Sequence, residues 1–293
     1  MKRILEYTIE PEFDSEKLMT VLKRHFKMST MLIKEQRTYD DGFLLNGEHI
    51  RTVESVHAGD KLTITLHDTA SENITPVNIP IDIVYEDEDI LIVNKAADMP
   101  THISVGNYEN SLANAVMYHY KQNNEEHLFR AVNRLDKDTS GLMTIAKNSY
   151  AHARLADEIQ TGELKRKYMC IAEGDIERDG TVDAPIARKE GSAIERCVSA
   201  DGHRAVTHYK VIERYGDYTL LEMTLETGRT HQIRVHMAYI GHPLVGDWLY
   251  GTEDKTLVQR QMLHSYYLSL IHPITGEKME WQSDMAEDMK AFK

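Results

Sequence analysis

Cysteine, proline and long apolar segments are all scarce in this sequence. The 293 residues include two cysteines and seven prolines. Because Cys170 and Cys197 lie far apart and form no metal-binding pair, we expect reduced thiols and a cytoplasmic protein. No apolar stretch is long enough to cross a bilayer, so we expect no membrane segment. The hydrophobic fraction of 41% suits a globular chain with a sizeable core.

An excess of basic residues is absent as well. The chain has 34 lysines and arginines against 47 acidic residues, a formal net charge of -13. This balance is unusual for a nucleic-acid-binding protein, but only the docking face of such a protein must be basic. Basic residues do cluster locally, at Lys23, Arg24 and Lys27, at Lys165 to Lys167, and at Arg188 and Lys189. Any one cluster taken alone is better interpreted as an ordinary solvated surface.

Length and patterning predict two units joined by a linker. Residues 1–70 are expected to form a small module, with two helices followed by a hairpin at Asn46-Gly47. Residues 71–80 are polar and predict the linker. Residues 81–293 open with a hairpin and then mix strand and helix patterns without a regular βαβ rhythm. This predicts an α+β fold, with a mixed, mainly antiparallel central sheet and flanking helices.

The first candidate site is the segment Asn133 to Leu142. Asp136 lies there between Arg134 and Lys137, in a loop that leads through Thr-Ser-Gly into an apolar strand. Loops held by strands commonly carry catalytic groups, so Asp136 is a candidate working carboxylate. A plain Asx turn is the alternative interpretation, and local physics alone favours it.

The second candidate site runs from Glu226 to His236. An alternating strand ends at Gly228, and Thr230 is the predicted N-cap of a helix that buries Ile233. Arg229 would then lie at a helix N-terminus, which favours anions such as a phosphate or a carboxylate. A surface arginine beside an ordinary cap is an equally simple alternative. His231 and His236 are not spaced like paired metal ligands, so no metal site is predicted.

The third feature is the segment Leu164 to Ala172, which reads as a strand that begins with basic residues and enters the core. Tyr168 and Cys170 share one face of it. A tyrosine at a strand entrance usually packs against its neighbours, but in a site for an extruded base it could stack on that base.

In this order, the three segments resemble the RluA family of pseudouridine synthases. The hairpin Tyr85 to Lys95 and the segments Gly241 to Asp247 and Leu263 to Pro273 extend the resemblance from about Ile81 to the C-terminus. Residues 15–66 are similar to the S4-like RNA-binding module that often precedes this domain. The family commonly has histidine where this chain has Asn133 and proline where it has Ala96. Neither change removes a residue that the reaction requires.

The resemblance implies a pseudouridine synthase fold, preceded by a small S4-like α/β module, and an enzyme that isomerises uridines in structured RNA without a cofactor or metal. It implies that Asp136 is the essential residue, that Arg229 is its ion-pair partner and that Tyr168 contacts the extruded base. Arg134 would fill the gap in the RNA or hold a phosphate, and Ile233 would form an apolar wall. Arg234, His231 and Gln232 are also expected to bind substrate.

Two rival functions remain at this point. A catalytically inactive RNA-binding protein is the first, although the intact set of Asp136, Tyr168 and Arg229 argues against it. A nucleoside or glycoside hydrolase, using Asp136 with Asp138 or Glu226, would instead release free uracil. We expect a monomer that acts on RNA, with ribosomal RNA the first expectation and transfer RNA the alternative.

Overall fold

A four-stranded antiparallel sheet and two short helices form the N-terminal part of the molecule. The computed structural model describes residues 2–67, 74–104, 106, 108–252 and 254–291. The small sheet has the strand order β1-β4-β2-β3. Its elements are β1 (Lys2–Thr8), α1 (Leu18–Arg24), α2 (Thr30–Gln36), β2 (Phe43–Leu45), β3 (Glu48–His49) and β4 (Lys61–His67).

Local signals explain most of this module. Ser29 caps α2 by accepting a hydrogen bond from the Leu32 amide at 3.1 Å. Asn46 and Gly47 both have positive φ, at 53° and 87°, so the predicted tight turn is confirmed. The strand β1 was not predicted, because its inward face carries Arg3 and Tyr7 beside Leu5 while the apolar Ile4 is exposed, so apolar residues do not alternate in the sequence.

The larger part of the chain forms a ten-stranded sheet within the described residues. Its order is β10-β13-β14-β9-β15-β8-β6-β5, with β16 added to β15 and β7 to β8. A separate two-stranded sheet pairs β11 with β12. The elements are β5 (Asp82–Glu86), β6 (Ile90–Lys95), α3 (Leu112–Gln122), β7 (Arg130–Ala131), β8 (Ser140–Ala146), α4 (Ser149–Thr161), β9 (Lys165–Glu173), β10 (Gly180–Asp183), β11 (Ile186–Arg188), β12 (Arg196–Val198), β13 (Val206–Arg214), β14 (Tyr218–Leu225), α5 (Gln232–Tyr239), β15 (Leu263–Ile271), β16 (Lys278–Gln282) and α6 (Glu287–Lys290).

The predicted fold class is confirmed. The sheet is mixed and mainly antiparallel, and its one parallel pair in the described residues joins β8 to β15. Gly141 makes this pairing possible. Its φ is 116°, and a Cβ there would lie 2.2 Å from the backbone oxygen of Ser265, so only glycine fits. The parallel pair begins where the Asp136 loop ends, and it therefore fixes that end of the loop.

The small module docks on the larger part through an ion pair and a tyrosine. Arg3 makes a two-pronged ion pair with Asp89, with both nitrogen–oxygen distances at 2.9 Å. Tyr150 of α4 lies in the apolar core of the module and donates its hydroxyl proton to the Phe26 carbonyl at 2.8 Å. The predicted limits of the module and linker remain a prediction, and residues 68–73 lie outside the described residues. No described helix has both the length and the apolar character that a membrane span requires.

Candidate active site

Asp136 lies in the loop between β7 and β8, and three successive carbonyls hold that loop in place. The Thr101 hydroxyl donates to the Leu135 carbonyl at 2.9 Å, and the Thr139 amide donates to that of Asp136 at 3.1 Å. The buried Nζ of Lys95 donates to the Lys137 carbonyl at 3.0 Å. The Asp136 side chain itself is 25% exposed, so the protein fixes its backbone and leaves the carboxylate open to the surface.

Arg234 is the arginine that holds Asp136. Its Nη1 donates to Asp136 Oδ2 at 3.2 Å. Its other donors, Nε and Nη2, each bond a different oxygen of Asp247 at 2.7 Å. Burial by itself would lower the pKa of Arg234, but the bonds to Asp247 and the charges of both carboxylates outweigh it and raise that pKa. Arg234 is therefore a permanently charged bridge between a buried carboxylate and the open one.

The predicted ion pair between Asp136 and Arg229 is wrong. Arg229 is exposed, and its guanidinium donates to the backbone carbonyl of Arg204 at 3.0 Å. The helix N-cap is His231 rather than the predicted Thr230, and its backbone is left-handed with φ 58°. This conformation starts α5 so that Arg234, on the first helical turn, faces the Asp136 loop, whereas Arg229 lies before the helix.

His231 and Tyr250 form the other wall beside Asp136. His231 Nε2 lies 3.8 Å from Asp136 Oδ1, and its Nδ1 lies 2.8 Å from the Tyr250 hydroxyl. Burial is the largest influence on His231 and lowers the pKa of its imidazole. The guanidinium of Arg234 lies over the Tyr250 ring, 5.1 Å from its centre, which is a cation–π distance.

Tyr168 and Ile233 lie in the apolar cluster that adjoins the carboxylate. Tyr168 is 4% exposed and shares the cluster with Ile233 and with Leu135, the residue before Asp136. The Tyr168 hydroxyl bonds no other described residue. The structure therefore brings an open carboxylate and an arginine together from distant parts of the sequence, next to an apolar cluster that contains Tyr168.

Two other predicted substrate residues have different surroundings. Gln232 is buried, and its amide bonds the Val206 carbonyl, Thr207, Thr227 and the Arg229 amide. These contacts support the loop before α5, and the substrate-binding role of Gln232 stays a prediction. Arg134 is exposed and forms no hydrogen bond or ion pair with another described residue.

Three functional residues escaped the sequence reasoning, namely Asp247, Tyr250 and Lys95. Asp247 and Lys95 are charged residues beside apolar runs, and they end two of the segments that resemble the family, although no role was predicted for either. Tyr250 has no such local signal. Asp247 is fully buried, and Lys95 donates to the carbonyls of Ala96 and Met99 as well as Lys137.

One group of possible metal ligands occurs in the described residues, and it lies away from this site. It comprises Asp87, Asp89 and His272. Its atoms already have partners, because His272 bonds Asp87 at 3.0 Å and Asp89 pairs with Arg3 and Asn148. We therefore assign this group to docking of the small module.

The fold and the site agree with the class of enzyme that the sequence motifs resemble, and comparison with known proteins gives the family. A family model described as "RNA pseudouridylate synthase" matches residues 89–239. Ribosomal large subunit pseudouridine synthase D of Escherichia coli K12 is 41% identical over 264 residues, which is 85% of this chain and 81% of that protein. The Bacillus subtilis 168 protein named "Uncharacterized RNA pseudouridine synthase YhcT" is 40% identical over 98% of this chain and 96% of its own.

A solved structure agrees with these matches. Human RNA pseudouridylate synthase domain containing 1 superposes with a TM-score of 0.58 and 26% identity, covering 76% of this chain and 90% of that one. The chain belongs to the RluA-type family of RNA pseudouridylate synthases. It is an RNA pseudouridine synthase, an isomerase, as the resemblance predicted.

Proposed function

We propose that this enzyme isomerises uridine in large-subunit ribosomal RNA, with Asp136 as its catalytic carboxylate. The observation that carries the proposal is the open carboxylate of Asp136, held on one oxygen by Arg234 and backed by the buried Asp247. The target RNA follows from the name of the Escherichia coli relative, and transfer RNA is the alternative substrate.

The two oxygens of Asp136 have different surroundings. Oδ2 accepts from Arg234, whereas Oδ1 faces His231 at 3.8 Å, beyond hydrogen-bond distance. The isomerisation breaks the N1–C1′ bond, joins C5 to C1′, and moves a proton off C5 while N1 gains one. Oδ1 is therefore the oxygen available to attack the base or the sugar, or to act as a base at the ribose.

The apolar cluster beside Asp136 would receive the extruded base. Extrusion costs a few kcal/mol, and stacking in a pocket recovers part of that energy. Tyr168 and Ile233 would supply this contact, and the Tyr168 hydroxyl would relay the proton that leaves C5 by giving up its own proton as it takes that one. Arg134 is exposed and without a partner in the described chain, and it would hold a phosphate or fill the vacated position in the RNA.

The small module would supply the basic docking face that the whole chain lacks. Arg24, Lys27, Lys34 and Arg37 are exposed on and around α1 and α2. Replacing Lys34 and Arg37 by glutamine should weaken RNA binding uniformly across sequences. It should also reduce the dependence of log K on log salt by about 0.7–0.9 for each phosphate that the variant no longer binds.

The decisive experiment compares Asp136→Asn with Asp138→Asn on large-subunit ribosomal RNA and on transfer RNA. Asp136→Asn should abolish pseudouridine formation and retain RNA binding, whereas Asp138→Asn, two residues along the same loop, should retain turnover. Chromatography of the nucleosides also detects free uracil, which a hydrolase would release. Turnover by Asp136→Asn would contradict the role of Asp136, and modification of transfer RNA alone would contradict the substrate.

A second variant tests the base pocket. Tyr168→Phe keeps the ring and removes the hydroxyl, so it should lower the single-turnover rate more than the affinity for RNA. A defect in affinity alone would show that Tyr168 only packs against the base.

We further propose that the enzyme is a cytoplasmic monomer. Both cysteines are free thiols in the structure, and ribosomal RNA as substrate requires access to the cytoplasm. Light scattering of the purified protein and fractionation of cells test the two statements.

A further inference from the structure

Tyr250 links the backbone of one strand to the imidazole that faces Asp136. Its hydroxyl oxygen accepts a hydrogen bond from the Arg196 amide of β12 at 2.9 Å. The same hydroxyl lies 2.8 Å from His231 Nδ1. Both contacts are partly buried, so the hydrogen-bonding capacity of this hydroxyl is directed within the protein.

The direction of the second bond follows from the first. A phenol hydroxyl has one proton to donate, and the Arg196 amide can only donate to it. His231 Nδ1 is the only acceptor that the described residues offer to the Tyr250 proton, and a partly buried hydroxyl proton without an acceptor is costly. The Tyr250 hydroxyl therefore donates, and His231 Nδ1 accepts.

This direction fixes where the proton of His231 lies. A neutral imidazole that accepts at Nδ1 must carry its proton on Nε2, because the two ring nitrogens have opposite roles. The charged and titratable groups that face His231 are Asp136, Arg234, Arg196 and Asp247, and burial together with the two arginines favours the neutral ring. Nε2–H then points toward Asp136 Oδ1 at 3.8 Å, the oxygen that Arg234 does not hold.

We propose that Tyr250 is a positioning residue, which holds His231 in the tautomer whose Nε2–H donates to Asp136 Oδ1 as the site closes around the nucleotide. The carboxylate would then be oriented by Arg234 on one oxygen and by a neutral donor on the other. A neutral donor orients Oδ1 without a second positive charge that would weaken it as a nucleophile or base. The kinetic part of this inference rests on the proposed role of Asp136, whereas the tautomer does not.

The tautomer is measured on the intact enzyme by long-range proton–nitrogen NMR with ¹⁵N-histidine, the His231 signal being identified by its loss in His231→Gln. The expected result is a protonated Nε2 and an unprotonated Nδ1 in the native protein, and a mixture of tautomers in Tyr250→Phe. Protonation at Nδ1 in the native protein would overturn the proposal without bearing on Asp136.

Kinetics then test whether the tautomer matters. Tyr250→Phe retains the ring under Arg234, so it should leave the affinity for RNA nearly unchanged. It should lower the single-turnover rate by about tenfold, as happens when a residue that orients a metal-bound histidine is removed. In a His231→Gln background, Tyr250→Phe should have no further effect. A matched control is Tyr239→Phe, which removes an exposed hydroxyl that bonds no other described residue.

Two kinetic outcomes would overturn the positioning role. One is a native rate in Tyr250→Phe despite a changed tautomer. The other is an undiminished loss in the His231→Gln background, which would show that Tyr250 acts through the Arg196 strand instead. Failure of Asp136→Asn to abolish turnover is a separate result that contradicts the proposed function and leaves the tautomer measurement valid.

Discussion

The buried pair of Arg234 and Asp247 gives the sharpest test of how this site is built. Asp247→Asn keeps the shape of the side chain and removes its charge. In the native protein, Asp247 is fully buried, bonds Arg234 at 2.7 Å through both oxygens, and also accepts from the amides of Leu249 and Tyr250 at 3.1 Å. An asparagine has one acceptor oxygen for these donors, so some of them lose their partner.

The expected loss of stability in Asp247→Asn depends on the burial of Arg234 and on the partners that Arg234 keeps. Breaking a buried ion pair costs about 3–5 kcal/mol, because a charge is left uncompensated. Here Arg234 keeps Asp136 as a partner and asparagine keeps one acceptor, so we expect a loss of about 2–4 kcal/mol in the free energy of unfolding. The guanidinium should also move from Asp136 Oδ2. Because that charge-assisted bond contributes about 1.5–3 kcal/mol, we expect a rate loss of roughly 10- to 100-fold.

Urea unfolding and single-turnover pseudouridine formation at saturating RNA measure the two effects. Asp254→Asn is the matched control, since its carboxylate is exposed and bonds the neighbouring Thr256 rather than any residue of the site. The free energy of unfolding of this control should stay within about 0.5 kcal/mol of the native value. If Asp247→Asn unfolds at the native urea midpoint and turns over at the native rate, the view of Asp247 as the anchor of Arg234 is refuted.

Three further predictions address the frame of the site. Gly141→Ala should destabilise the fold by more than about 3 kcal/mol, because its Cβ meets the neighbouring strand's backbone, whereas Gly276→Ala, also at positive φ but in open space, should cost about 1 kcal/mol in urea unfolding. A double-mutant cycle of Arg3→Ala and Asp89→Ala should give a coupling free energy of about 1–2 kcal/mol, and additive effects would contradict docking through this pair. Burial lowers the pKa of Lys95 from 10.5 to about 7, although nearby carboxylates act in the opposite direction. Between pH 7 and pH 10.5 the unfolded chain therefore binds more protons than the folded protein. The free energy of unfolding should rise with pH in this range, by up to about 1.4 kcal/mol per pH unit. Lys95→Met should lack this rise, and equal slopes in the two proteins would contradict the assignment.

Local chemistry made part of the fold predictable. The Asn46-Gly47 turn, the Ser29 cap and the hairpin of β5 and β6 each depend on residues within a few positions of one another. Local sequence patterns could not predict the order of the ten strands in the large sheet. The parallel contact of β8 with β15 joins Ser140 to His264 across 124 residues, and no local pattern carries that pairing.

The motifs around Asp136, Tyr168 and Ile233 were enough by themselves to determine the family, because several segments occur in the right order. They also placed a carboxylate in a loop held by strands. Only the tertiary structure decided which arginine meets that carboxylate. Arg229 and Arg234 are five positions apart, and both are compatible with a helix start. The left-handed backbone at His231 and the ion pair with Asp247 select Arg234. The Tyr250 hydroxyl orients His231. The contacts with Asp247 and Tyr250 form only when separate segments of the chain pack together.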